Sequence, residues 1–194
     1  MLESLYISIL IILILIFFIF RKQNLNMVQV KTVKGIKFSI YKELDMSEKQ
    51  NILSTVIENM LALKEHLIKN KDNFEEYKEY IDQLGDNFSS DKTTIYETEP
   101  ESNLTSYSVN KGQELSICLK SKKTNQLHDI NLLMYVAIHE MAHMGCPEIG
   151  HGELFKTIFK FFIEESIKIG IYKYVDYNNN PVEYCGMNLS SSIV

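Results

Sequence analysis

Arginine is almost absent from this chain of 194 residues, in which Arg21 is the single example. Residues 27–194 contain 18 Lys against 24 Asp and Glu, so their net charge is near −6. Proteins that bind nucleic acid depend on basic patches for the phosphates and on the forked side chain of Arg for reading bases. The composition therefore speaks against a nucleic-acid binder, and we expect no nucleic-acid partner.

Cysteine is also scarce. The three residues Cys118, Cys146 and Cys185 are an odd number, which gives no complete disulfide framework, and their spacing excludes a CxxC metal knuckle. This pattern agrees weakly with a cytosolic location. Repeats and low-complexity linkers are lacking as well, and the 168 residues after position 26 suit one domain with one core.

One long apolar run stands at the N-terminus. Leu5–Phe20 has 16 residues without a charge, which as a helix would rise about 24 Å against a bilayer core of about 30 Å. Snorkelling by Arg21 and Lys22 can make up the difference. A cleaved signal peptide would need a basic start and a small-residue cleavage site, whereas this start carries Glu3. A buried core helix is disfavoured, because the run is apolar on every face and stands at a terminus with no polar stripe.

The sequence thus predicts an uncleaved transmembrane helix over residues 5–20, and the membrane is an expected partner. Lys and Arg lie only on its C-terminal side, so the positive-inside rule predicts a single-pass protein whose large domain faces the cytosol. We divide the chain into an anchor with its basic flank, residues 1–26, and a folded domain, residues 27–194.

The folded part alternates between short strands and amphipathic helices. Its order indicates an α+β fold with a small, mainly antiparallel sheet. The sequence predicts four helices, from Ser47 to about Lys69, from Phe74 to Leu84, from Asp129 or Asn131 to Met144, and from Gly152 to Ile169. It predicts strands within residues 28–41, 93–98, 106–110 and 114–119, with a hairpin turn at residues 111–113. The segment from Tyr172 to Val194 is expected to be irregular.

The sequence HEMAH at residues 139–143 is an H-E-x-x-H motif inside a predicted helix. His139 and His143, four residues apart, project from one face and can bind one metal ion together. Glu140 lies about 100° around the helix, so it can reach a water on the metal without being a ligand. This is the arrangement that a zinc hydrolase requires.

A catalytic zinc site normally has three protein ligands. His151 follows eight residues after His143, and the Gly and Pro residues between them can end the helix and turn the chain back. The sequence therefore predicts one Zn²⁺ held by His139, His143 and His151, with Glu140 as the catalytic base.

These residues, with the segment Gly150–Phe155 and the strand before the helix, resemble zincin metallopeptidases of the SprT and WLM type. The resemblance covers about residues 114–165. It implies a minimal zincin fold with an active-site helix, one zinc ion and hydrolysis of peptide bonds. Family members that act on DNA-linked proteins carry DNA-binding regions, which this acidic chain does not show, so we do not carry over their substrate class.

Two points remain open from the sequence. The candidates for the group that stabilises the oxyanion are Tyr184, Tyr174 and His128, although a structural role is the simpler interpretation of each one alone. The strand Leu115–Lys120 either pairs with an extended substrate or is purely structural.

Three functions compete. The first is a membrane-anchored zinc metallopeptidase acting on a protein or peptide. The second is an anchored, non-catalytic interaction protein with a zinc site that stabilises the fold, and the third is a zinc hydrolase of another bond. Glu140 favours an enzyme, because a structural site needs no carboxylate beside an open coordination position.

Overall fold

The computed structural model describes residues 6–14 and 26–191. Within residues 26–191, one mixed five-stranded sheet and four α-helices share a hydrophobic core, and a two-stranded hairpin follows the last helix. In chain order the elements are β1 (Met27–Lys31), β2 (Lys37–Tyr41), α1 (Met46–Lys69), 3₁₀ turns at Lys71–Asn73 and Glu75–Tyr77, α2 (Lys78–Asn87), β3 (Thr94–Glu97), β4 (Tyr107–Val109), β5 (Glu114–Ile117), α3 (Ile130–Gly145), α4 (Glu153–Lys168), β6 (Val182–Tyr184) and β7 (Met187–Leu189).

The α+β class is confirmed, but the prediction of a mainly antiparallel sheet was wrong. The strand order is β1-β2-β3-β5-β4, with antiparallel pairs at both ends and parallel pairs β2–β3 and β3–β5 in the middle. For the pair β2–β3, the physical reason is the connection between these two strands. It contains α1 and α2, and a helical crossover of this length lets a chain enter the next strand in the same direction.

Helix α3 is at the centre of the molecule. It contacts the other three helices and strands β4 and β5, and most of its side chains are buried. A helix that is apolar on nearly every face is stable only when neighbours cover it on all sides. The apolar stripe of α1, which includes Leu53, Met60 and Leu67, supplies part of that cover.

The predicted transmembrane helix is not supported. Residues 6–14 are helical with exposed side chains. Among the described residues, no helix has the length and hydropathy to cross a membrane. The expected anchor over Leu5–Phe20 and the single-pass, cytosol-facing topology were therefore wrong; residue 5 and residues 15–20 of the run lie outside the described residues.

A buried ion pair joins α1 to the sheet. Lys49 Nζ lies 3.0 and 2.9 Å from the two carboxylate oxygens of Glu97, and both side chains are buried. The backbone N–H of Tyr41 donates to Glu97 Oε2 at 2.8 Å. Burial raises the pKa of the Glu97 carboxyl, while Lys49 and the Tyr41 amide favour its ionised form. Removing one partner would leave an uncompensated buried charge, at a cost of about 3–5 kcal/mol.

A disulfide fastens the hairpin of β6 and β7, the tail hairpin, to the sheet. Cys118 directly follows β5, and its partner Cys185 lies in the two-residue turn of the hairpin. Cys185 and Gly186 both have positive φ, which is the type I′ geometry that suits a tight hairpin. Cys146 is the free, buried cysteine. An odd number of cysteines is therefore compatible with one disulfide and one free thiol. The segment from Tyr172 to Val194, which was expected to be irregular, contains a hairpin.

We predict that replacing Cys118 and Cys185 together by Ala lowers the free energy of unfolding by about 2–4 kcal/mol, because the bond closes a long loop in the unfolded chain. Urea unfolding followed by circular dichroism measures this loss. A reductant should destabilise the wild type and Cys146→Ala by a similar amount and leave the double variant unchanged. A double variant as stable as the oxidised wild type would contradict the prediction.

Candidate metal centre

Two histidines lie on one face of α3, near its C-terminal end. The helix begins where Asp129 Oδ1 accepts a hydrogen bond from the backbone N–H of Asn131 at 2.8 Å. Ten residues later His139 and His143 are one turn apart, and their Nε2 atoms are 3.1 Å from each other. The predicted geometry of the motif is therefore present.

The helix ends where the chain has no room for a side chain. At Gly145, a Cβ would lie 3.0 Å from the backbone oxygen of Tyr80 and 3.2 Å from the ring of Phe162. Beyond it, Gly150 has a φ of +88° and turns the chain back. His151 then meets the first two histidines, with its Nε2 3.1 Å from that of His143 and 3.0 Å from that of His139.

These three residues, the His triad, fit a metal ion. Zinc–nitrogen distances of about 2.0–2.1 Å in a tetrahedral site place ligand nitrogens roughly 3.3 Å apart. The three Nε2 atoms are slightly closer than that and all face one another. Three imidazoles suit zinc and related divalent transition metals.

Burial keeps two of these imidazoles neutral. It lowers the pKa of His139 to about 3, and the neighbouring His143 and His151 add to the shift. Burial, followed by His151 and Lys111, lowers the pKa of His143 to about 4. A neutral imidazole offers a free lone pair, so at neutral pH both rings are ready to act as ligands.

The ring of Phe155, in the first turn of α4, contacts every member of the triad. Its centroid lies 4.2 Å from His143 in a stacked arrangement, and 5.0 and 4.8 Å from His139 and His151 in edge arrangements. Phe155 thus fixes the ring planes from the side of the core. Phe155 ends the segment Gly150–Phe155, on which the family resemblance partly rests.

Glu140 points to a different side of α3 and is only 5% exposed. Burial raises the pKa of its carboxyl to about 7, although hydrogen bonds from Ser108 of β4 oppose the shift. A carboxyl with a pKa near neutrality can both accept and release a proton at physiological pH. The sequence predicted a role for Glu140 but not for Ser108, because no local sequence pattern distinguishes Ser108 from the other serines.

The triad and Glu140 share one cavity of about 740 Å³. Strand β4 forms part of its wall, and the loop before His151 and the tail hairpin form other parts. Besides the triad and Glu140, its lining includes Ser108, Tyr135, Val136, Tyr184, Met187 and Leu189. Sequence reasoning missed Met187 and Leu189, because they come from a segment that was expected to be irregular.

Of the three candidates for oxyanion stabilisation, Tyr184 lines this cavity. Its hydroxyl pairs with Ser106 Oγ and donates to the backbone oxygen of Cys118 at 3.1 Å, while the Cys118 N–H donates to Ser106 Oγ at 2.9 Å. His128 lines another cavity, where its Nε2 accepts from the N–H of Cys185, and Tyr174 is half-exposed outside both linings. The hydroxyl of Tyr184 is therefore committed to a structural ring of hydrogen bonds.

The strand Leu115–Lys120 does not offer a free edge. Its residues 115–117 belong to β5, which pairs with β3 on one side and β4 on the other. The outer strand beside the cavity is β4, in which Tyr107 and Ser108 line the wall. Of the two interpretations of 115–120, the structural one is favoured.

Comparison with known proteins places the chain in a family. It is 41% identical over 184 residues to the uncharacterized protein R325 of Acanthamoeba polyphaga mimivirus, a match that covers 94% of this chain and 92% of that protein. The chain therefore belongs to the same family as R325. A shorter match, 38% identical over 69 residues, covers 34% of this chain and 38% of the uncharacterized protein 136R of Invertebrate iridescent virus 6. No protein-family model matches the chain.

Among solved structures, the chain is similar to Wss1 from Saccharomyces cerevisiae, with 16% identity and a TM-score of 0.49 over 67% of this chain and 86% of that one. A Wss1 mutant from the same yeast gives 15% identity and a TM-score of 0.48 over 67% and 87%. These likenesses are distant, and the function proposed below is supported by the side chains of the cavity.

We predict that Glu140→Gln stabilises the metal-free protein at alkaline pH. The folded carboxyl keeps its proton up to about pH 7, whereas in the unfolded chain it ionises near its usual value of 4.5. Rising pH between these values therefore favours unfolding, and a neutral amide avoids this loss. The advantage of Glu140→Gln should be near zero at pH 4.5 and reach about 2–3 kcal/mol at pH 8.

Chemical denaturation of both proteins from pH 4.5 to pH 8, in the presence of a chelator, measures the difference. Glu101→Gln, at an exposed position, is the matched control and should show no such trend. A variant that is less stable than the wild type at pH 8 would show that the buried carboxyl is stabilised in its ionised form instead.

Proposed function

We propose that this protein is a zinc-dependent metallopeptidase, in which His139, His143 and His151 hold one zinc ion and Glu140 is the catalytic base. The observation that carries the proposal is the convergence of three Nε2 atoms within 3.1 Å of one another, in a cavity that also contains a buried carboxyl.

The number of ligands supports a catalytic site over a structural one. Structural zinc is normally closed by four protein ligands, often including cysteine. In the described part of the chain, the group that could hold a metal contains only the three histidines. The exposed side of His151 and the adjoining cavity leave room for a water and a substrate. The alternative of a non-catalytic zinc site has no comparable support.

Zinc bound there would supply Lewis-acid activation of a water molecule and of the substrate carbonyl. Glu140 accepts the proton of the attacking water on its carboxylate and returns it to the departing amine. The hydrogen bonds from Ser108 hold the carboxylate in place, and the apolar surroundings keep its pKa near neutrality. The chain outside residues 1–26 has no Arg, so stabilisation of the oxyanion by a guanidinium is excluded.

The substrate is proposed to be an extended peptide segment. Such a segment can pair with the outer edge of β4 through main-chain hydrogen bonds, which would place a scissile bond beside the triad. The apolar side chains of the tail hairpin, Met187 and Leu189, would then face the side chains of the substrate.

The full-length protein is expected to bind one zinc ion, and His151→Ala should bind it at least tenfold more weakly, because loss of a ligand leaves two. Metal analysis after dialysis and competition with a chromophoric chelator measure the stoichiometry and the affinity. Unchanged affinity in His151→Ala would remove His151 from the ligand set.

Glu140→Gln is expected to retain zinc and to lose about 10² to 10⁴ in the rate of peptide cleavage, since that is the usual contribution of general base catalysis. Cleavage of an unfolded protein, with and without a chelator, is the measurement. Glu101→Gln should cleave at the wild-type rate. Chelator-sensitive cleavage by Glu140→Gln at the wild-type rate would mean that another group activates the water.

A further inference from the structure

The loop that carries the third histidine has little support of its own. It connects α3 to α4 through residues 146–152, of which only Cys146 is buried; Ile149 is 97% exposed. In the part of the chain that the structure describes, no backbone–backbone hydrogen bond joins residues 147–151 to another element. The placement of His151 therefore depends on contacts from outside the loop.

Lys111 supplies those contacts. Its Nζ donates to the backbone oxygen of Cys146 at 2.5 Å and to that of Glu148 at 2.6 Å. An ammonium group has three donors and can hold two carbonyls in a fixed relation. The two carbonyls span the start of the loop, so one side chain fixes the direction in which the chain leaves α3.

The position of Lys111 is itself fixed. It lies at the tip of the β4–β5 hairpin with a φ of +58°, between Asn110 and Gly112, which also have positive φ. A Cβ at Gly112 would lie 2.9 Å from the backbone oxygen of Asn87 at the end of α2. The amide of Asn87 in turn donates to the backbone oxygen of Met144 at 2.9 Å. The hairpin tip, the end of α2 and the end of α3 are thus locked together.

We infer that Lys111 is a positioning residue for the metal site, which holds the loop 146–152 so that His151 meets His139 and His143. This inference rests on the proposed function, because it assumes that the triad binds a metal. Lys111 acts through two backbone carbonyls, and its effect on the metal is transmitted by His151.

Two substitutions remove the ammonium group in different ways. Lys111→Met keeps most of the aliphatic chain, and Lys111→Gly removes the side chain at a φ that glycine adopts without strain, so at least one of them should fold. Lys122→Met is the matched control. Lys122 Nζ also donates to two backbone carbonyls, those of Ser102 and Leu104, in a loop that carries no member of the triad.

The first measurement is zinc affinity of the full-length protein, by competition with a chromophoric chelator, with thermal unfolding as the check on folding. Supporting residues around metal ligands typically contribute 10- to 100-fold in affinity, and we expect a loss of that size in Lys111→Met and Lys111→Gly. Lys111→Arg should recover part of it. Lys122→Met should bind zinc as the wild type does.

The second measurement is a double-mutant cycle with His151→Ala. If Lys111 acts through His151, Lys111→Met should cost little further affinity once His151 is gone. The visible spectrum of the cobalt-substituted Lys111→Met protein should likewise shift towards that of His151→Ala. A merely structural role would lower the unfolding temperature without producing either result.

The outcomes are distinct. Folded Lys111 variants with wild-type zinc affinity, or losses that add fully to that of His151→Ala, overturn the inference and leave the proposed function standing. A wild-type protein that binds no zinc overturns both.

Discussion

The burial of α3 on nearly all sides is the constraint on which the rest of the structure depends. The helix is covered by α1, α2, α4 and the sheet, so it can neither rotate nor shift without exposing apolar surface. The direction in which its polar side chains point is decided by that packing. His139 and His143 face the loop to α4, and Glu140 faces β4. A chemical site placed on such a helix is held by the whole core.

Polar interactions and a disulfide fix the relative positions of elements that apolar packing alone would allow to shift. The buried pair of Lys49 and Glu97 ties α1 to β3, although replacing such a pair by well-packed apolar residues is often neutral for stability. The hydrogen-bonded ring of Tyr184, Ser106 and Cys118, together with the disulfide, fastens the tail hairpin to the end of β5. The tail hairpin, which forms part of the cavity wall, is therefore held to the sheet by a covalent bond and by hydrogen bonds.

The cavity combines neutral imidazoles with a carboxyl whose pKa is near neutrality, and both follow from the same cause. Removing water disfavours the charged form of each group, which lowers the pKa of His139 and raises that of Glu140. Burial therefore keeps His139 and His143 neutral and holds the pKa of Glu140 near neutrality. His151, the exposed member of the triad, contacts the ring of Phe155 and lies in the loop whose carbonyls accept hydrogen bonds from Lys111.

The sequence by itself determined the helices that carry the site and the members of the triad, because helical periodicity and the spacing of H-E-x-x-H are local properties. It also determined the β4–β5 hairpin, through the turn at residues 111–113. Only the tertiary structure decided the parallel strand pairs, the pairing of Cys118 with Cys185, and the choice of Tyr184 over Tyr174 and His128 at the cavity. Each of these depends on residues that are far apart in the chain, and the packing that selects among the alternatives leaves no periodic pattern in the sequence.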